Sequence, residues 1–156
     1  MRYRFLIIAL ILTATACNTL HICDDFGESI AVVRLKTVYD GQIRDTLVNG
    51  LDIWGIRDGQ NGPLFYDSAT ASRIVLPLDP SSPESSFIIR SVEQSDTLVL
   101  VHDSEAYLLS YECGFAMRYQ IKEVQSSLRW TKDTELVEDE IDAETLSNEE
   151  HIRIYF

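Results

Sequence analysis

Short apolar runs separated by turn residues recur along the chain from residue 29 onward. Ile30–Val38 alternates apolar and charged side chains and is followed by Asp40-Gly41. Alternation with a period of two is typical of a strand with one buried face, and Asp-Gly pairs favour tight turns. Leu51–Arg57 ends in the same way, before the turn-rich segment Asp58–Gly62. Further runs are Ser72–Leu78, Phe87–Val92, Thr97–His102, Ala106–Cys113, Phe115–Val124 and His151–Phe156.

The rhythm of these runs predicts the fold class. Strands repeating about every ten residues, with no segment of helical periodicity, are typical of antiparallel sandwiches and barrels. We therefore predict an all-β domain, an antiparallel two-sheet sandwich of the immunoglobulin-like type with about eight or nine strands. Within two of the runs, aromatic side chains fall at alternate positions, which predicts that most of them line the core: Tyr107, Tyr111, Phe115 and Tyr119.

Composition restricts the class of protein further. The chain has 156 residues, 46% of them apolar, and a formal net charge of −12. This apolar content is too high for a disordered chain, and a mean hydropathy of −0.03 is too low for a protein with several membrane spans. The negative charge repels phosphate backbones, so nucleic acid is excluded as a partner.

The N-terminus has the three regions of a bacterial secretion signal. Arg2 and Arg4 are basic, Phe5–Leu12 is apolar, and Thr13–Ala16 is a stretch of small residues that ends at Cys17. The apolar run is too short to cross a bilayer as a helix. Small residues directly before a cysteine resemble the lipobox of bacterial lipoproteins, in which the cysteine receives acyl chains. The alternative is an ordinary cleaved signal with a chance cysteine.

This interpretation divides the chain into three parts. Residues 1–16 are predicted to be the lipoprotein signal, residues 17–28 the lipidated tether, and residues 29–156 the β-sandwich domain. Asn18–Ile22 carries no acidic residue directly after Cys17, whereas surface-displayed lipoproteins of some bacteria do. We therefore expect an outer-membrane anchor with the domain facing the periplasm; exposure at the cell surface is the alternative.

Two cysteines remain once Cys17 carries lipid. Cys23 follows the tether and Cys113 ends a predicted strand before Gly114. The signal sends both to an oxidising compartment, which favours a disulfide between them. The alternative is a pair of buried free thiols, because cysteine is a common core residue.

Several motifs resemble an uncharacterised lipoprotein family of Bacteroidota. They are Leu76–Asp79, Thr97–Val101, Cys113-Gly114-Phe115 and the ending Glu149–Phe156. The resemblance implies a lipobox cysteine and a second cysteine a few residues later, positions that Cys17 and Cys23 occupy here. That family has no assigned activity, so the resemblance implies no catalytic residue.

No catalytic or metal-binding motif is evident. His21, His102 and His151 are not spaced as metal ligands, and the sequence has no Gly-x-Ser-x-Gly or Ser-x-x-Lys motif. A triad that uses His102 or His151 with a distant serine stays open, because triads are assembled in space. We expect a protein that is not an enzyme and has no cofactor or metal.

Acidic residues are concentrated between residues 133 and 150, where nine acids occur without a lysine or arginine. Glu140, Asp142 and Glu144 alternate as calcium ligands can, but no glycine marks the sharp turn of a calcium loop. The simpler interpretation is a solvated connection that keeps the domain soluble.

Three short segments match an O-glycosylation pattern of Asp, then Ser or Thr, then a small or aliphatic residue. Their acceptors are Thr46, Ser68 and Thr97. Ser68 is the strongest candidate, because Asp67–Ala69 is predicted to be a loop, whereas Thr97 opens a predicted core strand.

These observations lead to two function hypotheses. The first is a non-enzymatic, periplasm-facing outer-membrane lipoprotein that acts in envelope assembly or binds another envelope protein or glycan. The alternative is a carbohydrate- or calcium-binding β-sandwich module that uses the strand-end loops Asp58–Gly62 and Asp133–Glu150.

Overall fold

A computed structural model describes residues 28–92, 94–143 and 149–156, and this part of the chain contains strands and no helix. No helix there is long and apolar enough to cross a membrane. The strands are β1 (Ile30–Tyr39), β2 (Gln42–Asp45), β3 (Val48–Arg57), β4 (Gln60–Ala71), β5 (Arg73–Pro77), β6 (Glu84–Ser91), β7 (Gln94–Ser110), β8 (Gly114–Ser126), β9 (Asp133–Leu136), β10 (Glu140–Ile141) and β11 (Ile152–Tyr155).

The strands form two sheets. The six-stranded sheet has the order β10-β8-β7-β6-β3-β4, and all its neighbouring strands are antiparallel. The five-stranded sheet has the order β2-β1-β11-β9, with β5 also paired to β1. In that sheet β1 and β11 run parallel, with Val33 opposite Ile152 and Leu35 opposite Ile154. The predicted all-β, two-sheet sandwich is confirmed.

The core lies between the sheets and follows the alternation seen in the sequence. Most of the strands bury one face, although β4 does not, and the largest fully buried side chains come from both sheets: Leu35, Leu51, Ile53, Ile74, Leu76, Phe87, Ile89, Leu98, Leu100, Ile121, Ile141 and Ile152. Removal of this apolar surface from water is the main stabilising contribution to the fold.

The strands of the described residues differ from the prediction in two ways, each with a physical reason. The acidic segment after residue 133 was predicted to be a solvated connection, but it supplies β9, paired with β11, and β10, paired with β8. Both strands are short and rich in acidic residues, so their sequences lack the alternation of apolar and polar residues by which a strand is predicted. Conversely, Thr97–His102 and Ala106–Cys113 belong largely to one 17-residue strand, β7, whose register shifts at Val101/His102. A bulge of this kind changes which face a side chain occupies without ending the strand.

Two local predictions were wrong. Asp67–Ala69 is not a loop but an irregular part of β4, where Ser68 has a φ of +49°. Tyr119 is buried in the core as expected, but Tyr111 and Phe115 are exposed. They lie at the β7–β8 turn, where the second sheet does not cover them. The alternation of aromatic residues there is a property of the extended strands and does not indicate burial.

The register of the strands gives the sandwich two distinct ends. One end, here called the hairpin end, contains the β3–β4 turn, the start of β6, the β7–β8 turn and the start of β1, where Ile30 pairs with Pro77. The opposite end, here called the far end, contains the β1–β2 turn at Asp40-Gly41 and the β6–β7 turn after Ser91.

Candidate functional site

A groove of about 880 Å³ opens at the hairpin end. One wall is the β3–β4 hairpin, and the other is the loop that joins β5 to β6. Polar and apolar side chains share the lining, which includes Arg57, Asp58, Pro63, Phe65, Asp79, Ser81 and Ser82. A mixture of this kind suits a ligand that is itself partly polar.

Two glycines shape the β3–β4 wall. A Cβ on Gly55 would lie 3.1 Å from Cε2 of Phe65, and a Cβ on Gly62 would lie 3.1 Å from the carbonyl oxygen of Gly55. Phe65 therefore lies across the bare backbone of β3, and its ring also packs against Phe87 with centroids 6.1 Å apart. This arrangement holds a partly exposed aromatic ring in the groove wall.

Asp79 organises the opposite wall. Its carboxylate accepts hydrogen bonds from the backbone N–H of Ser81 and from Nη2 of Arg57, both at 2.9 Å. These two donors, the Ser81 N–H first, lower the pKa of Asp79, so the group stays ionised at neutral pH. The Asp79 N–H in turn donates to Ser85 Oγ at 2.8 Å. Hydrogen bonds to the side chains of Asp79 and Ser85 thus hold the loop between β5 and β6 in place.

A serine–histidine pair lies under the groove. Ser85 Oγ and His102 Nε2 are 2.9 Å apart, and the His102 ring meets Tyr119 edge-on. Burial lowers the pKa of His102, which favours the neutral imidazole. In the described part of the chain His102 Nδ1 has no hydrogen-bond partner, so no carboxylate orients the ring as in a triad.

The groove belongs to the part of the chain that has recognisable relatives. The sequence profile of DUF6452, a family of unknown function, matches residues 50–156, which is more than two thirds of the chain. The chain belongs to the DUF6452 family. Both walls of the groove and the serine–histidine pair fall inside the matched region. No curated protein and no solved structure matches the chain.

The DUF6452 match confirms that the chain belongs to a family without an assigned function, as the C-terminal motifs indicated. The matched region begins within β3 and leaves out β1, β2 and the N-terminal residues. The predictions about the N-terminus therefore rest on the sequence of this chain alone.

Not all the predicted site residues can be placed. Cys17, Cys23 and His21 lie outside the described residues, so the lipidation and the disulfide stay predictions. Cys113 lies in the β7–β8 turn, where its N–H donates to Ser110 Oγ at 2.9 Å.

The three predicted glycosylation acceptors differ in accessibility. Ser68 is exposed, and its N–H donates to Asp52 Oδ1 at 2.7 Å. Thr46 is half-buried between β2 and β3, and Thr97 is half-buried within β7. Ser68 therefore offers the most accessible hydroxyl of the three.

His151, the third histidine, lies away from the groove in the five-stranded sheet. It is buried, its Nδ1 accepts the Val32 N–H at 2.9 Å, and burial lowers its pKa. No group of three or more histidine, cysteine or acidic side chains within the described ranges is arranged to hold a metal ion.

The acidic residues that suggested calcium are engaged by arginine. Glu140 and Asp142 lie 3.2 and 3.6 Å from the Arg118 guanidinium. Glu144 lies outside the described residues. The arrangement balances the local negative charge with a side chain from β8.

The sequence predicts the turn residues at the groove but not the residues that form its walls. Asp58-Gly59 was predicted as a turn, and both residues have positive φ, as a tight hairpin requires. The role of Phe65 depends on a glycine on the neighbouring strand. An aromatic residue facing a mid-strand glycine is a known cross-strand arrangement, but its detection needs the register of β3 on β4.

Proposed function

We propose that the chain is a lipoprotein of Bacteroidota that is anchored in the outer membrane and faces the periplasm. Cleavage of the signal leaves Cys17 as the acylated N-terminus, and the tether connects it to the sandwich. Support comes from the order of basic, apolar and small residues before Cys17. The sandwich then acts without catalysis, by binding another component of the cell envelope.

The observation that carries the binding role is the groove at the hairpin end. The polar groups at the groove are hydrogen-bonded to one another. Asp79 bonds to Arg57 and Ser81, and Ser85 bonds to Asp79 and His102. Such an arrangement gives a pre-formed surface, and His102 lies buried beneath it, bonded to Ser85 and closed off from a ligand in the groove. These features favour a binding site over a catalytic one.

Removal of the acylated cysteine tests the anchor. In Cys17→Ala, the sandwich residues are unchanged but no diacylglycerol can be attached. We expect the variant to leave the detergent-soluble membrane fraction and appear in the soluble or signal-uncleaved pool, measured by fractionation and mass spectrometry. A variant that stays in the membrane fraction with its signal removed contradicts the anchor.

A bulky side chain in the groove tests the binding role. Ser81 is exposed on the loop wall, so Ser81→Trp fills the groove without disturbing the core. Gln94→Trp places the same side chain on the exposed far end and serves as the control. Pull-down of the lipidated protein from detergent-solubilised envelopes should recover a stoichiometric partner with the wild type and Gln94→Trp but not with Ser81→Trp. Equal recovery with all three proteins contradicts the groove as the site.

Carbohydrate is a second candidate for the ligand, and Phe65 is the observation that favours it. A partly exposed ring beside the carboxylates of Asp58 and Asp79 and the hydroxyls of Ser81 and Ser82 offers stacking and hydrogen bonds together. In this case the pull-down recovers no protein, and binding to envelope polysaccharide is lost in Ser81→Trp and kept in Gln94→Trp.

A further inference from the structure

The β7–β8 hairpin projects beyond the sandwich. Its strands pair from Leu98↔Ser126 to Ser110↔Gly114, whereas β6 covers β7 only as far as Val101 and β10 covers β8 only at Tyr119 and Gln120. Residues 105–118 therefore pair only with each other as a two-stranded ribbon, whose base still contacts the sandwich through Met117 and Tyr107. The last pair that another strand flanks is Ser104↔Tyr119, and β7 continues for six more residues to Ser110, roughly 20 Å at about 3.4 Å per residue.

The tip of this ribbon is apolar and open to solvent. Tyr111 is 94% exposed, Phe115 is 75% exposed and Leu108 is 46% exposed. Leu108 and Phe115 are directly opposite each other across the two strands, and Tyr111 lies in the turn. An isolated ribbon gains no stability from exposing such side chains, so a cluster of them indicates a surface that contacts something apolar.

The described chain begins beside the same ribbon. Ser29 donates its hydroxyl to the carbonyl oxygen of Met117, which lies on β8 within the ribbon. Ser29 is twelve positions after Cys17, and a fully extended stretch of that length spans at most about 43 Å. A membrane that holds Cys17 is therefore no more than about 43 Å from Ser29, which lies at the base of the ribbon.

The opposite end of the molecule has exposed apolar residues as well, including Val38, Tyr39 and Ile43. They lie at the end of β1 remote from Ser29, and ten residues of strand add about 33 Å to their distance from the tether. Of these two apolar surfaces, the tip is the one at the end of the molecule where the tether joins the domain.

We infer that Leu108, Tyr111 and Phe115 insert into the interface of the membrane that carries the lipid anchor; this rests on the proposed acylation of Cys17. Tyrosine and phenylalanine are well suited to the boundary between headgroups and acyl chains. The nearby charges are Glu105, Glu112 and Arg118, and Arg118 is already paired with Glu140. A ribbon without an excess of positive charge fits a zwitterionic surface, where binding relies on apolar contact.

Tryptophan at the tip tests this contact. The acylated full-length mature protein is reconstituted in phosphatidylcholine vesicles whose acyl chains carry bromine, a short-range quencher of tryptophan fluorescence. Tyr111→Trp and Phe115→Trp place the probe at the tip, and Tyr39→Trp places it at a similarly exposed turn at the far end. Trp54 and Trp130 give the same background in every variant.

We expect a blue shift and loss of most of the added emission in Tyr111→Trp and Phe115→Trp, and neither change in Tyr39→Trp. Flotation of the same vesicles reports the anchor separately. If the protein floats with the vesicles but the tip probes are unquenched, the insertion is refuted and the anchor stands. Failure to float contradicts both. A blue shift that appears without vesicles and grows with protein concentration assigns the tip to contact between copies and overturns the inference.

Discussion

A single buried carboxylate, Asp96, holds the segment Ser127–Thr131 against the start of β7. It accepts hydrogen bonds from Ser127 Oγ and from the backbone N–H groups of Arg129, Trp130 and Thr131, at 2.5 to 2.9 Å. Burial opposes its ionisation, but these four donors outweigh burial and lower the pKa to about 2. A charged group is thus stable in the interior because every donor around it points at the carboxylate.

Replacement of this carboxylate is expected to destabilise the fold. Asp96→Asn puts an amide NH₂ where backbone N–H groups need an acceptor, which costs about 2–4 kcal/mol of unfolding free energy. Asp103→Asn, on the same strand, removes only an exposed ion pair with Lys122 and should cost less than about 1 kcal/mol. Urea unfolding of both variants measures the difference, and equal costs contradict the role assigned to Asp96.

The same group predicts how stability depends on acid. The folded pKa of about 2 lies below the unfolded value of 3.8, so the stabilisation is complete above about pH 5 and is lost as the pH falls toward 2. About 2 kcal/mol is lost over this interval in the wild type, and this part of the slope should be missing in Asp96→Asn. Unfolding curves recorded between pH 5 and pH 2 provide the measurement.

At the scale of elements, β11 supports the five-stranded sheet from its middle. Ile154 is fully buried opposite Leu35, whereas Ile43 on the edge strand β2 is exposed. We expect Ile154→Ala to reduce the unfolding free energy by about 2–5 kcal/mol, since it leaves a cavity between the sheets. Ile43→Ala makes the same chemical change and should alter stability by about 0.5 kcal/mol or less. Comparable losses in thermal unfolding contradict the burial difference.

The strands also differ in whether they could be predicted from the sequence. β6 was found because its buried positions alternate with less buried ones, and β1 was found because Arg34 and Lys36 alternate with buried apolar residues. β4 has twelve residues and none that is fully buried, so its side chains carry no such signal. β9 and β10 are acidic and depend on partners in β11 and β8, which pair with them only in the folded molecule. The groove is missed for the same reason, because Gly55 and Phe65 become neighbours only through the register of β4 on β3.

At the scale of the whole molecule, the predicted Cys23–Cys113 disulfide ties the tether to the tip of the β7–β8 ribbon. A loop of 89 intervening residues contributes about 4–5 kcal/mol of stability when chain entropy alone is considered. We expect the unreduced, unfolded protein to resist alkylation at both positions, as measured by mass spectrometry. Reductant should lower the melting temperature of the wild type and leave that of Cys23→Ser/Cys113→Ser unchanged. Two alkylated thiols in the unreduced protein contradict the bridge and favour the free-thiol alternative.

The position of β11 also determines when the molecule can fold. This strand follows all the others in the sequence, yet it lies between β1 and β9, and the Phe156 N–H donates to the Lys36 carbonyl. Its contacts with β1 join residues more than a hundred positions apart, which is a high contact order and a slow step to complete. The five-stranded sheet therefore cannot close until synthesis has reached the last residues. If the chain is exported as proposed, this order delays completion of the sandwich until β11 has crossed the membrane.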